Sequence, residues 1–157
     1  NSYILPYFFY CPLLWMFCFK KENNLVNKVH KRTLRTVYEN RSLGLQKLIS
    51  FDNSVSIHVR HLQFLMTETY KSLHHKSPEI MCNLFELKNR PYHLRGHSLL
   101  KLPSAKTTTH GTNSLIFKAS LLWNSLPNKY KDEKSIDVFK NNIKNWLGSS
   151  CTCSICR

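Results

Sequence analysis

Acidic side chains are scarce in this sequence. Its 157 residues include 9 Asp and Glu against 23 Lys and Arg, which gives a formal net charge of +14. A chain so charged repels itself, and its natural counterpart is a polyanion such as a nucleic acid or an anionic membrane face. Charge alone does not choose between these two partners. With 42% hydrophobic and 12% aromatic residues, the composition excludes a disordered chain and predicts a folded core.

An unbroken hydrophobic span is missing as well. The apolar stretch at residues 3–19 is followed by two lysines, as a membrane anchor would be, but it contains Pro6 and Pro12. At about 17 residues it lies at the lower limit for a spanning helix, and it lacks the basic start and the small-residue cleavage site of a signal peptide. Because proline breaks helices, we expect a buried helix or a helix pair broken at the prolines. Membrane contact by this stretch is the less favoured alternative.

The six cysteines do not form the framework of a secreted, disulfide-rich domain. Cys11, Cys18 and Cys82 stand alone in apolar or helical surroundings, and only the end of the chain brings cysteines close in sequence. This distribution favours a reducing compartment. We therefore expect an intracellular protein of the cytoplasm or the nucleus.

The terminal cluster Cys151-x-Cys153-x-x-Cys156 is a candidate zinc site, because thiolates at short spacing can converge on one cation. A closed tetrahedral site needs a fourth donor, for which we consider His110 or a residue beyond Arg157. The alternative is a disordered tail of thiols that holds no metal.

Residues 22–38 repeat apolar positions at helical spacing and predict one amphipathic helix. Its expected core side carries Leu25, Val26, Val29, Val37 and Tyr38. A second face carries a basic row, defined as Lys28, Lys31, Arg32 and Arg35. Glu22 and Glu39 are the only carboxylates beside the basic row, so we interpret it as a phosphate-binding surface. An ordinary solvated face is the alternative interpretation.

Capping signals predict three further helices, which begin after Ser56, at residues 77–79 and after Ser135. His58 and His61 fall on the first of these helices, three residues apart. Because no third ligand lies near them in the sequence, we expect both histidines to be structural.

Between residues 89 and 111 the helical pattern gives way to prolines, threonines and scattered basic residues. A tyrosine within a basic stretch there can add base stacking to phosphate contacts. The nucleic-acid-binding candidates outside the basic row are therefore Arg90, Tyr92 and Arg95, with Lys140 and Lys144 on the outer side of the final helix.

Trp123 and Trp146 lie on apolar stripes, so we expect core positions and not base-stacking platforms. From residue 113 a short extended piece is expected to feed the helix of Trp123, which must end before Pro127. The expected fold class is mainly α: a small helical bundle with a loop-rich or short β segment around 90–117 and a C-terminal Cys-rich tail.

Short motifs follow one another along nearly the whole chain. They are Tyr10-Cys11-Pro12 with Trp15-Met16, Asn-Lys-x-His-Lys-Arg-x-Leu-Arg within 25–38, Ser54-Val55-Ser56-Ile57-His58-x-Arg60, Ser77-Pro78-Glu79-Ile80-Met81, Gly111-Thr112-Asn113-Ser114, Trp123-Asn124-Ser125-Leu126-Pro127, Phe139-Lys140, Trp146 and the terminal cysteine cluster. Each motif alone is weak. In this shared order, however, they resemble the C-terminal region of reverse transcriptases from jockey-like non-LTR retrotransposons.

The resemblance implies a parent polyprotein with an endonuclease, polymerase fingers and palm, a thumb and a C-terminal extension, the last two helping to grip template RNA and target DNA. Residues 1–50 would be a thumb-like helical remnant, and residues 51–157 the C-terminal extension with its cysteine cluster. The implied partners are RNA or DNA and the upstream palm and fingers. We accordingly expect a fragment with residual, largely sequence-independent nucleic-acid binding.

Polymerisation by two metal ions requires a close set of carboxylates, which this sequence does not offer. Its only aspartates are Asp52, Asp132 and Asp137, and none belongs to an aspartate-pair hairpin. We therefore expect no magnesium site, no catalytic residue and no enzymatic activity in this fragment. A non-functional transposon relic, and a basic protein that associates with membranes through residues 1–21, are the alternative functions.

Overall fold

The computed structural model describes residues 5–88, 99–153 and 155–156, apart from the side chains of residues 109 and 110. The described chain is mainly helical, which confirms the expected fold class. Its helices are α1 Leu5–Phe8, α2 Pro12–Trp15, α3 Lys20–Val37, α4 Leu45–Phe51, α5 Ile57–Leu73, α6 Glu79–Cys82, α7 Leu115–Ser125, α8 Asn128–Lys131 and α9 Ile136–Ile143, with a π-helical turn at Thr108–Thr112.

The chain divides into two compact units. The first comprises Asn1–Leu62 with Thr152–Arg157, and the second comprises Gln63–Cys151. Helix α5 begins in the first unit and continues in the second. The boundary at residue 50 that the family resemblance implies concerns a parent polypeptide, and it stays a prediction.

Helices α1 and α2 form a helix pair, which is one of the two arrangements predicted. Pro12 is the first residue of α2, and Pro6 lies in α1. His61 Nε2 lies 2.7 Å from the Phe8 carbonyl oxygen, which ties α1 to α5. The expected burial is only partly correct, because Phe8 and Met16 are buried whereas Tyr10 is 77% exposed. Among the described residues, no helix is both long and apolar enough to cross a bilayer.

Helix α3 forms where the periodicity predicted it, but the expected core face is only partly correct: Tyr38 packs against the buried cluster, and most of the other expected residues do not. Leu25 and Val29 are 54% and 53% exposed, whereas Leu34 is buried against Leu48 and Ile49 of α4. Leu25 and Leu34 are nine residues apart, which places them about half a turn from each other on an α-helix. The side of α3 that packs is therefore chosen by α4 and not by the number of apolar residues on each side.

Polar contacts hold the corner between α3 and α4. The Arg35 guanidinium donates two hydrogen bonds to the Leu43 carbonyl oxygen, from Nε at 3.2 Å and from Nη2 at 2.9 Å. Asn40 Oδ1 accepts hydrogen bonds from the backbone N–H of Ser42 and of Leu43. Tyr38 at the end of α3 donates its hydroxyl to the Asp52 carboxylate at the end of α4. These bonds fix the loop that follows α3.

Aromatic packing builds the core of the second unit. The Tyr70 ring stacks on Phe139 with centroids 4.4 Å apart, and the Trp123 ring lies 6.3 Å from Phe139. Trp123 and Trp146 are both buried, which confirms them as core residues. Gln63 Nε2 donates to the Trp146 carbonyl oxygen at 2.9 Å and so holds the chain after α9 against α5.

The described part of the segment around 90–117 combines irregular chain with the π-helical turn at Thr108–Thr112 and the start of α7. The pairing found there is an isolated antiparallel bridge between Leu87 and Leu100, and no strand forms among the described residues. The short extended piece expected from residue 113 is wrong, because α7 already begins at Leu115. Ser114 caps this helix, since its side chain accepts the Phe117 N–H at 3.3 Å. That cap replaces the extended entry, and α7 ends at Ser125, ahead of Pro127, as predicted.

Two of the predicted capping serines, Ser77 and Ser135, do not cap through their side chains. Ser56 accepts the Val59 N–H at 3.3 Å and starts α5 as predicted. Helix α6 instead begins at Glu79 with Pro78 as its capping residue. Ser135 precedes α9, but its side chain accepts no capping bond there.

Candidate metal centre

Four side chains converge into a group that can hold a metal ion. They are His58, Cys151, Cys153 and Cys156, whose ligand atoms all lie within 4.8 Å of one another. His58 Nε2 lies 3.3 Å from Cys153 Sγ, and the sulfur atoms of Cys153 and Cys156 are 3.7 Å apart. Ligands bound tetrahedrally at ordinary zinc–sulfur and zinc–nitrogen lengths lie roughly 3.5–3.8 Å from each other. The sulfur–sulfur contact falls in this range and the nitrogen–sulfur contact is slightly shorter, so the group is compact enough to hold one ion.

Local structure presents each of these ligands. His58 is the second residue of α5, and the Ser56 cap fixes where that helix starts. Before the tail, Gly148 adopts a left-handed φ of 70°, and its carbonyl oxygen accepts the Cys151 N–H at 2.9 Å. Within the tail, the Cys156 N–H donates to the Cys153 carbonyl oxygen at 3.2 Å. This hydrogen bond brings the two thiols close to each other.

The group is enclosed more than a loose tail would be. His58, Cys151 and Cys153 are buried and Cys156 is exposed. None of the six cysteines, all of which the structure describes, forms a disulfide. Buried thiols at fixed positions argue against the alternative of a disordered thiol tail.

Sequence reasoning did not connect His58 with the cysteine cluster. The expectation that His58 is structural is corrected by its place in the group, 95 residues before Cys153. No local spacing could have revealed that pairing. Of the fourth donors considered instead, the His110 side chain lies outside the described residues, and a residue beyond Arg157 lies outside the chain.

The second histidine of α5 is structural, as expected. His61 is buried, with its ring edge-on to Trp15 at 4.7 Å between centroids and its Nε2 beside the Phe8 carbonyl oxygen. Burial lowers the pKa of His61 below the ordinary value of 6.5, although the contact with the Phe8 carbonyl partly opposes this effect. A neutral ring serves this packing role.

Cys18 lies near the group without belonging to it. Burial raises the pKa of the Cys18 thiol above its ordinary value, and the nearby Glu22 and Cys153 raise the same pKa further. The group of possible ligand atoms consists of His58 and the three tail cysteines, and Cys18 is not one of them.

The basic row lies on the side of α3 away from its buried residues. Lys28 and Arg32 are exposed, and Lys31 is half-buried. Among the residues that the structure describes, no carboxylate forms an ion pair with Lys28, Lys31 or Arg32. Arg35 differs, because its guanidinium is bonded to the Leu43 carbonyl oxygen and part of its donor capacity is structural.

Two further nucleic-acid-binding candidates lie in and just after α9. Lys140 and Lys144 are exposed in the second unit, where Lys140 Nζ lies 3.8 Å from the Asp137 carboxylate and Lys144 Nζ donates to Asn141 Oδ1 at 3.0 Å. Such exposed contacts are weak and leave both charges available to a ligand. The candidates Arg90, Tyr92 and Arg95 lie outside the described residues.

Comparisons with protein-family models, with curated proteins and with solved structures found no match for this chain. The resemblance to retrotransposon reverse transcriptases therefore rests on the order of the sequence motifs alone, and what it implies stays a prediction.

Proposed function

We propose that this chain binds RNA or single-stranded DNA through the solvent-facing side of α3, without reading base sequence. The observation that carries this proposal is the basic row itself, which displays Lys28 and Arg32 to solvent with no described carboxylate paired to them. Unpaired cations on one helix face attract phosphates and release their counterions. The net charge of +14 favours the same class of partner.

The experiment is a salt titration of binding by the full chain to a single-stranded oligonucleotide. Affinity should fall steeply between about 50 and 200 mM salt, because each phosphate contact adds to the salt dependence. Substitution of Lys28→Gln with Lys31→Gln should weaken binding and reduce the slope. Lys47→Gln, an exposed charge on α4, is the matched control. Affinity that stays constant over this salt range would count against the proposal.

We also propose that the candidate centre holds zinc. Three thiolates and one imidazole form a donor set that zinc binds in closed structural sites, and soft sulfur donors disfavour magnesium or calcium. Such a site supplies folding free energy, because its ligands are brought together only in the folded chain. The metal would join the start of α5 to the cysteine tail.

The zinc proposal is tested on protein purified without chelator. One zinc per chain is expected, and cobalt substitution should produce the absorption bands of tetrahedral thiolate ligation. His58→Ala and Cys153→Ser should each abolish stoichiometric binding, whereas Cys11→Ser, an exposed cysteine outside the group, should retain it. Equal zinc content in His58→Ala and in the unsubstituted chain would exclude the proposed fourth ligand.

We propose that the chain derives from the C-terminal region of a retrotransposon reverse transcriptase and has no polymerase activity alone. The order of motifs and the scarcity of aspartates support this origin and this absence. The coding sequence immediately upstream should then contain an in-frame aspartate-pair hairpin. A primer-extension assay with magnesium should yield no product from this chain. A broad, weakly cooperative melting curve would instead favour the non-functional relic.

One observation favours membrane association as a second candidate. Leu25 and Val29 are exposed on α3 one turn apart, beside Lys28 and Arg32. A helix that shows apolar and cationic residues on its outer side can lie on an anionic lipid surface. Flotation with anionic vesicles distinguishes the two functions: loss of binding in Leu25→Gln with Val29→Gln, with oligonucleotide affinity unchanged, would support the membrane.

A further inference from the structure

A surface pocket lies at the C-terminal end of α3, and its lining includes residues outside the basic row. The pocket has a volume of about 610 Å³ and is lined by Arg32, Arg35, Thr36, Glu39 and Arg41. Three guanidinium groups and one carboxylate leave its lining positively charged. Only Arg32 and Arg35 belong to the basic row, and Arg41 reaches the pocket from the loop after α3.

One of these guanidinium groups is held in place before any ligand arrives. Arg35 uses two of its five N–H donors on the Leu43 carbonyl oxygen. The loop that carries this carbonyl is itself fixed, because Asn40 Oδ1 accepts from the backbone N–H groups of Ser42 and Leu43. A guanidinium that is already oriented loses little conformational entropy when its remaining donors bind a ligand.

We propose that this pocket binds a dianionic phosphoryl group, either the terminal phosphate of a nucleic-acid strand or inorganic phosphate. Guanidinium groups match phosphate oxygens in paired, charge-assisted hydrogen bonds. A backbone phosphodiester carries a single negative charge, whereas a phosphomonoester carries about −1.5 to −2 at pH 7. The excess of two positive charges on the lining fits the dianion better. Where a strand end is the source, the inference rests on the proposed nucleic-acid binding.

The test compares two single-stranded oligonucleotides of one sequence, one with a 5′-phosphate and one with a 5′-hydroxyl, on the full chain at constant ionic strength. The phosphorylated strand should bind about tenfold more tightly. Arg41→Gln should remove most of that preference, and Glu39→Gln should increase it by removing the opposing carboxylate. Lys47→Gln, the same control as above, removes one exposed charge outside the lining, so it should leave the preference for the phosphorylated strand unchanged.

A second measurement separates the two sources of phosphate. Inorganic phosphate is titrated directly into the protein, with chloride at matched ionic strength as the reference. The pocket is assigned to the free ion if three results hold together: phosphate binds, Arg41→Gln loses that binding, and the two strands bind alike. Equal binding of both strands together with no binding of inorganic phosphate overturns the inference. The proposed function fails separately, when the 5′-hydroxyl strand does not bind at low salt.

Discussion

The side-chain amide of Asn124 makes hydrogen bonds to the backbone of Leu100 of the kind that a neighbouring strand makes in a sheet. Asn124 Oδ1 accepts the Leu100 N–H at 2.8 Å, and Asn124 Nδ2 donates to the Leu100 carbonyl oxygen at 2.9 Å. Leu100 is buried, so both of its backbone groups depend on this side chain. The asparagine of the Trp-Asn-Ser-Leu-Pro motif therefore has a structural explanation beyond the turn that Pro127 enforces.

We predict that Asn124→Ala lowers the free energy of unfolding by on the order of 2 kcal/mol, because it leaves two buried backbone groups unsatisfied. Urea denaturation measures the change. Asn128→Ala is the matched control, since that side chain is exposed, and it should change stability by less than about 0.5 kcal/mol. Equal effects of the two substitutions would show that the Asn124 hydrogen bonds contribute no net stability.

At the scale of the helix, the sequence of α3 predicts that an amphipathic helix forms but not which of its faces packs against the core. Leu34→Ala should destabilise the protein by about 2–5 kcal/mol, because it opens a cavity against Leu48 and Ile49. Leu25→Ala, the same change on the exposed side, should shift stability by less than about 0.5 kcal/mol. Thermal and chemical denaturation of the pair measure this contrast. If Leu25→Ala lowered the stability more than Leu34→Ala, the face that the periodicity predicted would be the packed one after all.

For the molecule as a whole, two of the three buried histidines among the described residues predict that acid lowers the stability of the fold. Burial is the main cause that lowers the pKa of both His30 and His61 below the ordinary 6.5. The unfolded chain then takes up these protons at a higher pH than the folded chain does. Their contribution to stability is therefore present above about pH 6.5 and is lost as the pH falls below that value toward the lower folded-state pKa values.

The expected result is a melting temperature that decreases between pH 7 and pH 5. His61→Gln isolates one histidine, because glutamine can still donate to the Phe8 carbonyl oxygen but does not titrate. Its melting temperature should depend less steeply on pH than that of the unsubstituted chain. Both proteins keep the four residues of the candidate centre, so the effect of acid on that centre is common to both. Parallel pH profiles would contradict the assignment of the acid sensitivity to His61.

Helix ends and the cysteine cluster were predictable from nearby residues. Ser56 caps α5, and Pro127 lies just beyond the end of α7, because capping and proline sterics act within a few residues. The three cysteines of the tail were recognisable for the same reason, since they lie within six positions of one another. The histidine that joins them was not, because 95 residues separate His58 from Cys153 and only the folded chain brings them together.

The same distinction accounts for α3. Its length and helical state follow from spacing along the chain, and the sequence was sufficient to predict them. Its orientation depends on which apolar side finds a partner, and Leu48 and Ile49 of α4 bury Leu34 while Leu25 and Val29 stay exposed. Local sterics and capping determine where a helix forms, whereas burial against another part of the chain decides which face is the core. Only the tertiary structure therefore placed the basic row toward solvent and completed the candidate metal centre.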